Sequence, residues 1–231
     1  MKKQFRKIIM ICAVLTALFC LSALGEDAKK GVVNEDGVTH IYNAKGRLVT
    51  NKPAYKVRVK GKNWFYTIDK DGKAVRLKNV KAKAAARLCQ FKAGGKQSEA
   101  NLKKAFAWAA GRRYHNNTVG KKGMAAAKYY GNYGFGAGHG DCNTVAAVFY
   151  WMATVLGYQA KFMQGYVPDG NISNLQSHAW VTIDLGGKTY VFDPDFERVY
   201  GSRLGKYCGF KIVYGQHNTY RYFSLQRQEI R

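Results

Sequence analysis

The sequence predicts an α+β domain, helices first and an antiparallel sheet after them, with a small β-hairpin module in front. Three observations predict it. Apolar residues recur at three-to-four spacing between residues 79 and 156. Short apolar, β-branched and aromatic runs then take over between residues 160 and 192, two of them joined by Gly186-Gly187. Between residues 26 and 78, short aromatic or β-branched runs alternate with Asp-Gly and Lys-Gly turns.

The first 25 residues stand apart. Lys2, Lys3, Arg6 and Lys7 precede an apolar run from Ile8 to Leu24, and Ala23-Leu24-Gly25 supplies small residues. That is the pattern of a secretory signal, with cleavage expected after Gly25. A retained membrane anchor is the alternative, since the run is almost long enough to span. Residues 1–25 are therefore assigned as the signal, 26–78 as the hairpin module and 79–231 as the main domain.

In the module, Thr39-His40-Ile41-Tyr42 runs to Lys45-Gly46, and Trp64-Phe65-Tyr66-Thr67-Ile68 runs to Lys70-Asp71-Gly72-Lys73. Each unit reads as a strand, a tight turn and a second strand. The unit with Gly61, Trp64, Tyr66 and Gly72 resembles the aromatic hairpin repeats of cell-wall-binding proteins. The same residues read equally well as an arm whose aromatics pack on the main domain.

The helical block starts with the Ala-rich stretch Ala82–Phe91. Ser98 caps a helix carrying Leu102, Ala105, Phe106 and Ala109, and Gly111 falls near its end. A short helix over Lys122–Tyr130 is expected next, followed by a glycine-rich loop from Gly131 to Gly140. Asn143–Leu156 is helical again, with Val145, Ala146, Phe149, Met152, Ala153 and Leu156 on one face, and Gly157 stops it. Strands follow over Ala160–Val167, Ala179–Asp184 and Thr189–Phe192. The tail, Phe210–Leu225, alternates enough for one or two more.

The composition is that of a globular protein: 47% hydrophobic and 14% aromatic over 231 residues. The formal net charge is +24. Such a surface suits polyanions, and for an exported chain an anionic cell-wall polymer is the expected counterpart. Plain solubilisation explains the charge equally well. No stretch carries a nucleic-acid-binding motif, so no nucleic acid is expected. Of the five cysteines, Cys12 and Cys20 lie in the signal. Cys89, Cys142 and Cys208 remain, an odd count that leaves one thiol free if Cys89 and Cys208 pair, or three if they do not.

The chemistry gathers at three positions. Cys142 follows Gly140-Asp141 and opens a long helix, where unpaired N–H groups favour an anionic sulfur. His178 precedes Ala179-Trp180-Val181, and Asp193 ends the following strand just before Pro194. A glycine hairpin sets these strands side by side, so Asp193 can reach the His178 ring while the Cys142 helix packs on the sheet. That is the order nucleophile, base, orienter.

Gly140-Asp141-Cys142 with Ala146, then Leu156-Gly157-Tyr158, Gly165-Tyr166, His178-Ala179-Trp180-Val181 and Phe192-Asp193-Pro194 together resemble the core of the transglutaminase-like superfamily over about residues 95–200. The resemblance implies a papain-like fold and a Cys142–His178–Asp193 triad acting on the amide bonds of protein or peptide substrates through a thioester. A peptidase or amidase with the same triad is the alternative, and a non-catalytic cell-wall-binding protein a further one. Asp195-Phe196 departs from the family, where Thr is commoner, and makes Asp195 a weaker substitute for Asp193. Besides the Cys142 N–H, Tyr133 and His139 are the oxyanion-hole candidates. No cofactor is implied, and no set of ligands has the sequence spacing of a zinc motif. Membrane contact is expected only if the N-terminal segment is retained; otherwise the protein is secreted or at the cell surface.

Overall fold

The computed structural model describes residues 29–169, 171–217 and 220–231. The expected signal segment, 1–25, lies outside them. Among the described residues, no helix is long and apolar enough to cross a membrane. The chain separates into two compact units, one ending at Val49 and the other beginning at Thr50.

The first unit is a hairpin of β1 (Gly31–Glu35) and β2 (Val38–Tyr42). Asp36 and Gly37 both have positive φ, 50° and 80°, as a two-residue hairpin turn requires. Val49 then donates its N–H to Ile41, which is buried.

The second unit opens with an antiparallel sheet of β3 (Lys52–Val59), β4 (Lys62–Ile68) and β5 (Ala74–Leu77), in that order. The Trp64–Ile68 run is β4, and Asp69–Lys73 is the turn into β5. This sheet packs on α1 (Asn79–Gln90), so residues 50–78 belong to the same compact unit as the helices. Helix α2 (Glu99–Ala110) begins where Ser98 accepts the Asn101 N–H and ends at Gly111. After the short β6 (Arg113–Tyr114) comes α3 (Gly123–Ala137).

The length of α3 corrects the sequence expectation. The glycine-rich segment from Gly131 is not a loop; it continues the helix to Ala137, and Gly138 (φ 75°) ends it. The reason is packing. A Cβ on Gly131 would lie 2.5 Å from the Trp151 ring, and one on Gly134 would lie 2.6 Å from Thr144 and Val148. The glycines let α3 press against its neighbour, and that close contact offsets their poor helix propensity.

The neighbour is α4 (Cys142–Val155), which follows the short β7 (His139–Gly140). Twelve of its 14 residues are buried, so it runs through the core with little room to move. It packs on a sheet ordered β10–β9–β8, formed by β8 (Ala160–Asp169), β9 (Asn171–Leu185) and β10 (Lys188–Phe192). Gly186 and Gly187, both at positive φ, turn β9 into β10. Along β9, Ala179, Val181 and Ile183 join the core around α4, whereas Trp180 joins a second cluster with Val167, Val191, Ile212 and Tyr222. Strand alternation thus assigns one face of the sheet to the helix and the other to the tail.

Three further corrections concern this region. β9 begins at Asn171, so His178 lies within the strand rather than at its start. Asp193, expected to end a strand, stands just past β10 and caps a helix, α5 (Pro194–Leu204). And the tail forms no named strand. It touches the β10 edge at Val191–Ile212 and the β8 edge at Tyr166–Phe223, crossing the sheet between isolated bridges.

Candidate active site

The nucleophile's place is built by the loop that enters α4. Asp141 caps the helix by accepting the Thr144 N–H at 3.0 Å and takes the Thr118 hydroxyl at 2.7 Å. Its own N–H donates to Asn117 at 3.0 Å. Gly140 has no alternative here, because a Cβ would fall 2.4 Å from the Thr144 side chain. Cys142 is therefore the first residue of a capped, buried helix, with its sulfur half-buried and the Asn143 amide 3.8 Å away.

His178 is 6% exposed and its ring stacks on Trp180. Its Nε2 donates to Asp193 Oδ2 at 2.8 Å. Asp193 is fully buried and heavily donated to. Its Oδ1 accepts the N–H groups of Asp195 (3.1 Å) and Phe196 (2.9 Å), which caps α5. Its Oδ2 also accepts the Tyr222 hydroxyl at 2.9 Å. Burial alone would push the His178 pKa down. The charge and hydrogen bond of Asp193 outweigh that and hold it well above the usual 6.5, with Cys142 acting in the same direction. Tyr220 closes over the same ring nitrogen at 3.3 Å.

With Nε2 engaged, Nδ1 is the nitrogen left for the thiol. Ligand atoms of Cys142, His178 and Asp195 all lie within 4.8 Å of one another. Asp195 Oδ2 is 3.9 Å from Nδ1, beyond a hydrogen bond. Its Oδ1 is paired with Arg198, which also donates to the Gly140 carbonyl at 2.9 Å. Two carboxylates thus flank the imidazole. Asp193 holds it, and Asp195 stands on the thiol side. Burial raises the Asp195 pKa against the pull of His178 and Arg198.

Tyr133 and His139 meet each other at 3.2 Å, and His139 packs edge-on against His115. A pocket of about 170 Å³ opens beside His178, lined among others by Lys121, Lys122, Asn143, Gln164 and Tyr166. Gln164 ties its walls together: it accepts the Gly123 N–H and donates to the Lys121 carbonyl and to Asn143. Cys89, Cys142 and Cys208 are all free thiols.

Sequence reasoning missed Tyr220, Tyr222, Gln164 and Arg198. The spacing of Tyr220 and Tyr222, two apart in an extended segment, is the signal that puts both hydroxyls on one side.

Residues 85–194 match the sequence profile of the Transglutaminase-like superfamily. Over 64 residues the chain is 36% identical to arylamine N-acetyltransferase 2 of Rattus norvegicus, a match covering 26% of this chain and 22% of that enzyme. A Cytophaga hutchinsonii structure, provisionally described as a cysteine protease, superposes with a TM-score of 0.36 at 15% identity, over 64% of this chain and 48% of the other. The chain thus spans less than half the length of either protein. The capped Cys142, the paired His178 and Asp193, and the glycine opposite His178 all lie in the matched segment, and residues 85–194 are a transglutaminase-like domain.

Proposed function

We propose that the chain is an exported cysteine enzyme that acts on amide bonds of proteins or cell-wall peptides through a thioester on Cys142. One observation carries this reading. The His178 ring stands between a fully buried carboxylate at 2.8 Å and a thiol at the head of a helix. The fold has spent a buried ion pair on orienting one imidazole, and such an arrangement is costly unless it is used.

In this reading the Cys142 sulfur attacks the carbonyl carbon. A C–S bond forms and the carbonyl electrons move onto oxygen. The Cys142 N–H, free of any partner within the helix, donates to that oxygen. His178 hands its Nδ1 proton to the departing nitrogen, and the C–N bond breaks. A second nucleophile, an amine or water, then gives its proton to His178 and displaces the sulfur. Asp193 keeps the ring oriented throughout. The pocket beside His178 offers room for the donor, and its two lysines suit an acidic one. The basic charge, still about +20 once the four basic groups of residues 1–25 are left out, supports the cell-wall setting, and residues 1–25 support export.

Iodoacetamide labelling with mass spectrometry tests the central claim. Cys142 should alkylate far faster than the other two thiols. Burial raises the pKa of Cys89, and burial together with Glu197 pushes that of Cys208 up to about 12. The advantage should vanish in His178→Ala. Equal, slow labelling of all three would sink the reading, as would full activity of Cys142→Ala on an amide donor.

A further inference from the structure

We propose that Cys142, His178 and Asp195 form a binding site for a borderline-soft divalent cation, Zn²⁺ above all, and that occupying it silences the nucleophile. The sequence offers no zinc motif; the fold assembles the ligands from α4, β9 and α5. A thiol, an imidazole and a carboxylate are the ligand types zinc prefers, and three protein ligands leave a fourth position for water. Tetrahedral zinc sets its ligand atoms about 3.3–3.6 Å apart, given bonds of about 2.0–2.3 Å. The Oδ2–Nδ1 separation is 3.9 Å and no pair exceeds 4.8 Å. Side-chain torsions of roughly an ångström close the site.

The surroundings of each ligand argue further for it. A zinc-bound histidine normally donates its other N–H to a carboxylate, which fixes the tautomer and aims the free lone pair at the metal. His178 already does this through Nε2 and Asp193. Asp195 is pinned through Oδ1 by Arg198, which leaves Oδ2 on the side of the cluster. The Asn143 amide lies beside the sulfur. All three ligands therefore have supporting partners in place.

On binding, the single proton held between the Cys142 sulfur and His178 Nδ1 leaves to solvent, which frees the Nδ1 lone pair, and a Zn–S bond forms. His178 gives the Nδ1 lone pair and Asp195 one oxygen. The sulfur can no longer attack a carbonyl. Metal binding rests on geometry alone, whereas inhibition rests on the proposed role of Cys142.

The experiment uses the full chain with Zn²⁺ or Co²⁺ alone. Calorimetry should give one Zn²⁺ per chain. Co²⁺ should give a thiolate-to-metal charge-transfer band and intense tetrahedral d–d bands. Zn²⁺ should slow Cys142 alkylation at least tenfold, and EDTA should restore it. Asp195→Asn, which keeps the side chain's shape, and Asp195→Thr should each weaken binding by roughly tenfold or more, the scale seen on disturbing such sites. A charge-transfer band that survives Cys142→Ser would place the metal elsewhere and overturn the proposal. So would wild-type affinity in both Asp195 variants, or unchanged Cys142 alkylation at saturating Zn²⁺. Slow labelling without metal would instead sink the enzymatic reading and leave the binding site standing.

Discussion

The two sides of the site are held in place by different means. Cys142 stands at the head of a helix buried on nearly every side, capped by Asp141 and clamped by the glycines of α3. His178 and Asp193 stand under a tail that meets the sheet through isolated bridges at its edges. The nucleophile is thus fixed by the core, and the base by a thin layer over it. Perturbing the tail should therefore disturb the base and spare the thiol's position.

The largest effect is expected from Asp193→Asn, which attacks the base side at its centre. It removes the charge opposite His178 and weakens the α5 cap. Breaking a buried pair by changing one partner costs about 3–5 kcal/mol. Urea unfolding should show a loss of that size, and turnover should fall by orders of magnitude. The loss should depend on pH. The folded-state pKa of His178 is raised above 6.5, so its contribution is complete below the unfolded value and fades as pH rises through the folded one. The gap between wild type and variant should be widest near about pH 6 and narrower near about pH 9. A pH-independent gap would mean that His178 is neutral in the fold.

Gly165→Ala tests the tail without touching a polar group. A Cβ there would lie 1.9 Å from the Phe223 carbonyl and 2.8 Å from the Trp180 ring. Backbone cannot yield as a side-chain tip does, so the tail must lift. Overpacking of this kind costs about 1–3 kcal/mol. The variant should lose that much stability, be cut faster by trypsin at Arg221, and lose most of its rapid Cys142 labelling. Unchanged labelling in a variant with a released tail would show that the base needs no cover.

The same division explains what could be read from the sequence. The nucleophile side is local: a polar lead-in at Asp141, a helical period and a stop at Gly157, all within seventeen residues. Ser98 and Gly111 bracket α2 for the same reason. The His and Asp strands were legible because Gly186-Gly187 joins them directly. The tail was not legible, because Tyr222 reaches Asp193 across 29 residues and nothing in its own pattern names that partner. The glycine segment of α3 misled for a related reason. Its glycines serve Trp151 and Thr144, contacts made by the fold and invisible to local propensity. Asp193-Pro194 was a missed local signal, since a capping Asp followed by Pro at the first helical position marks a helix start.

The smallest effects come from the tail hydroxyls, and they sharpen the comparison most. Tyr222 donates to a buried charged acceptor at 2.9 Å. Such bonds contribute about 1.5–3 kcal/mol, so Tyr222→Phe should lose about that much stability and slow turnover. Tyr220 lies 3.3 Å from a nitrogen whose proton is already given to Asp193. Tyr220→Phe keeps the ring packed against Phe196 and Tyr222 and should cost under about 0.5 kcal/mol, as for changes that break no buried interaction. If the two variants lose equally, the tail works by covering the ring. If only Tyr222→Phe loses, it works through the carboxylate, and the layer over the base is part of the machinery that orients it.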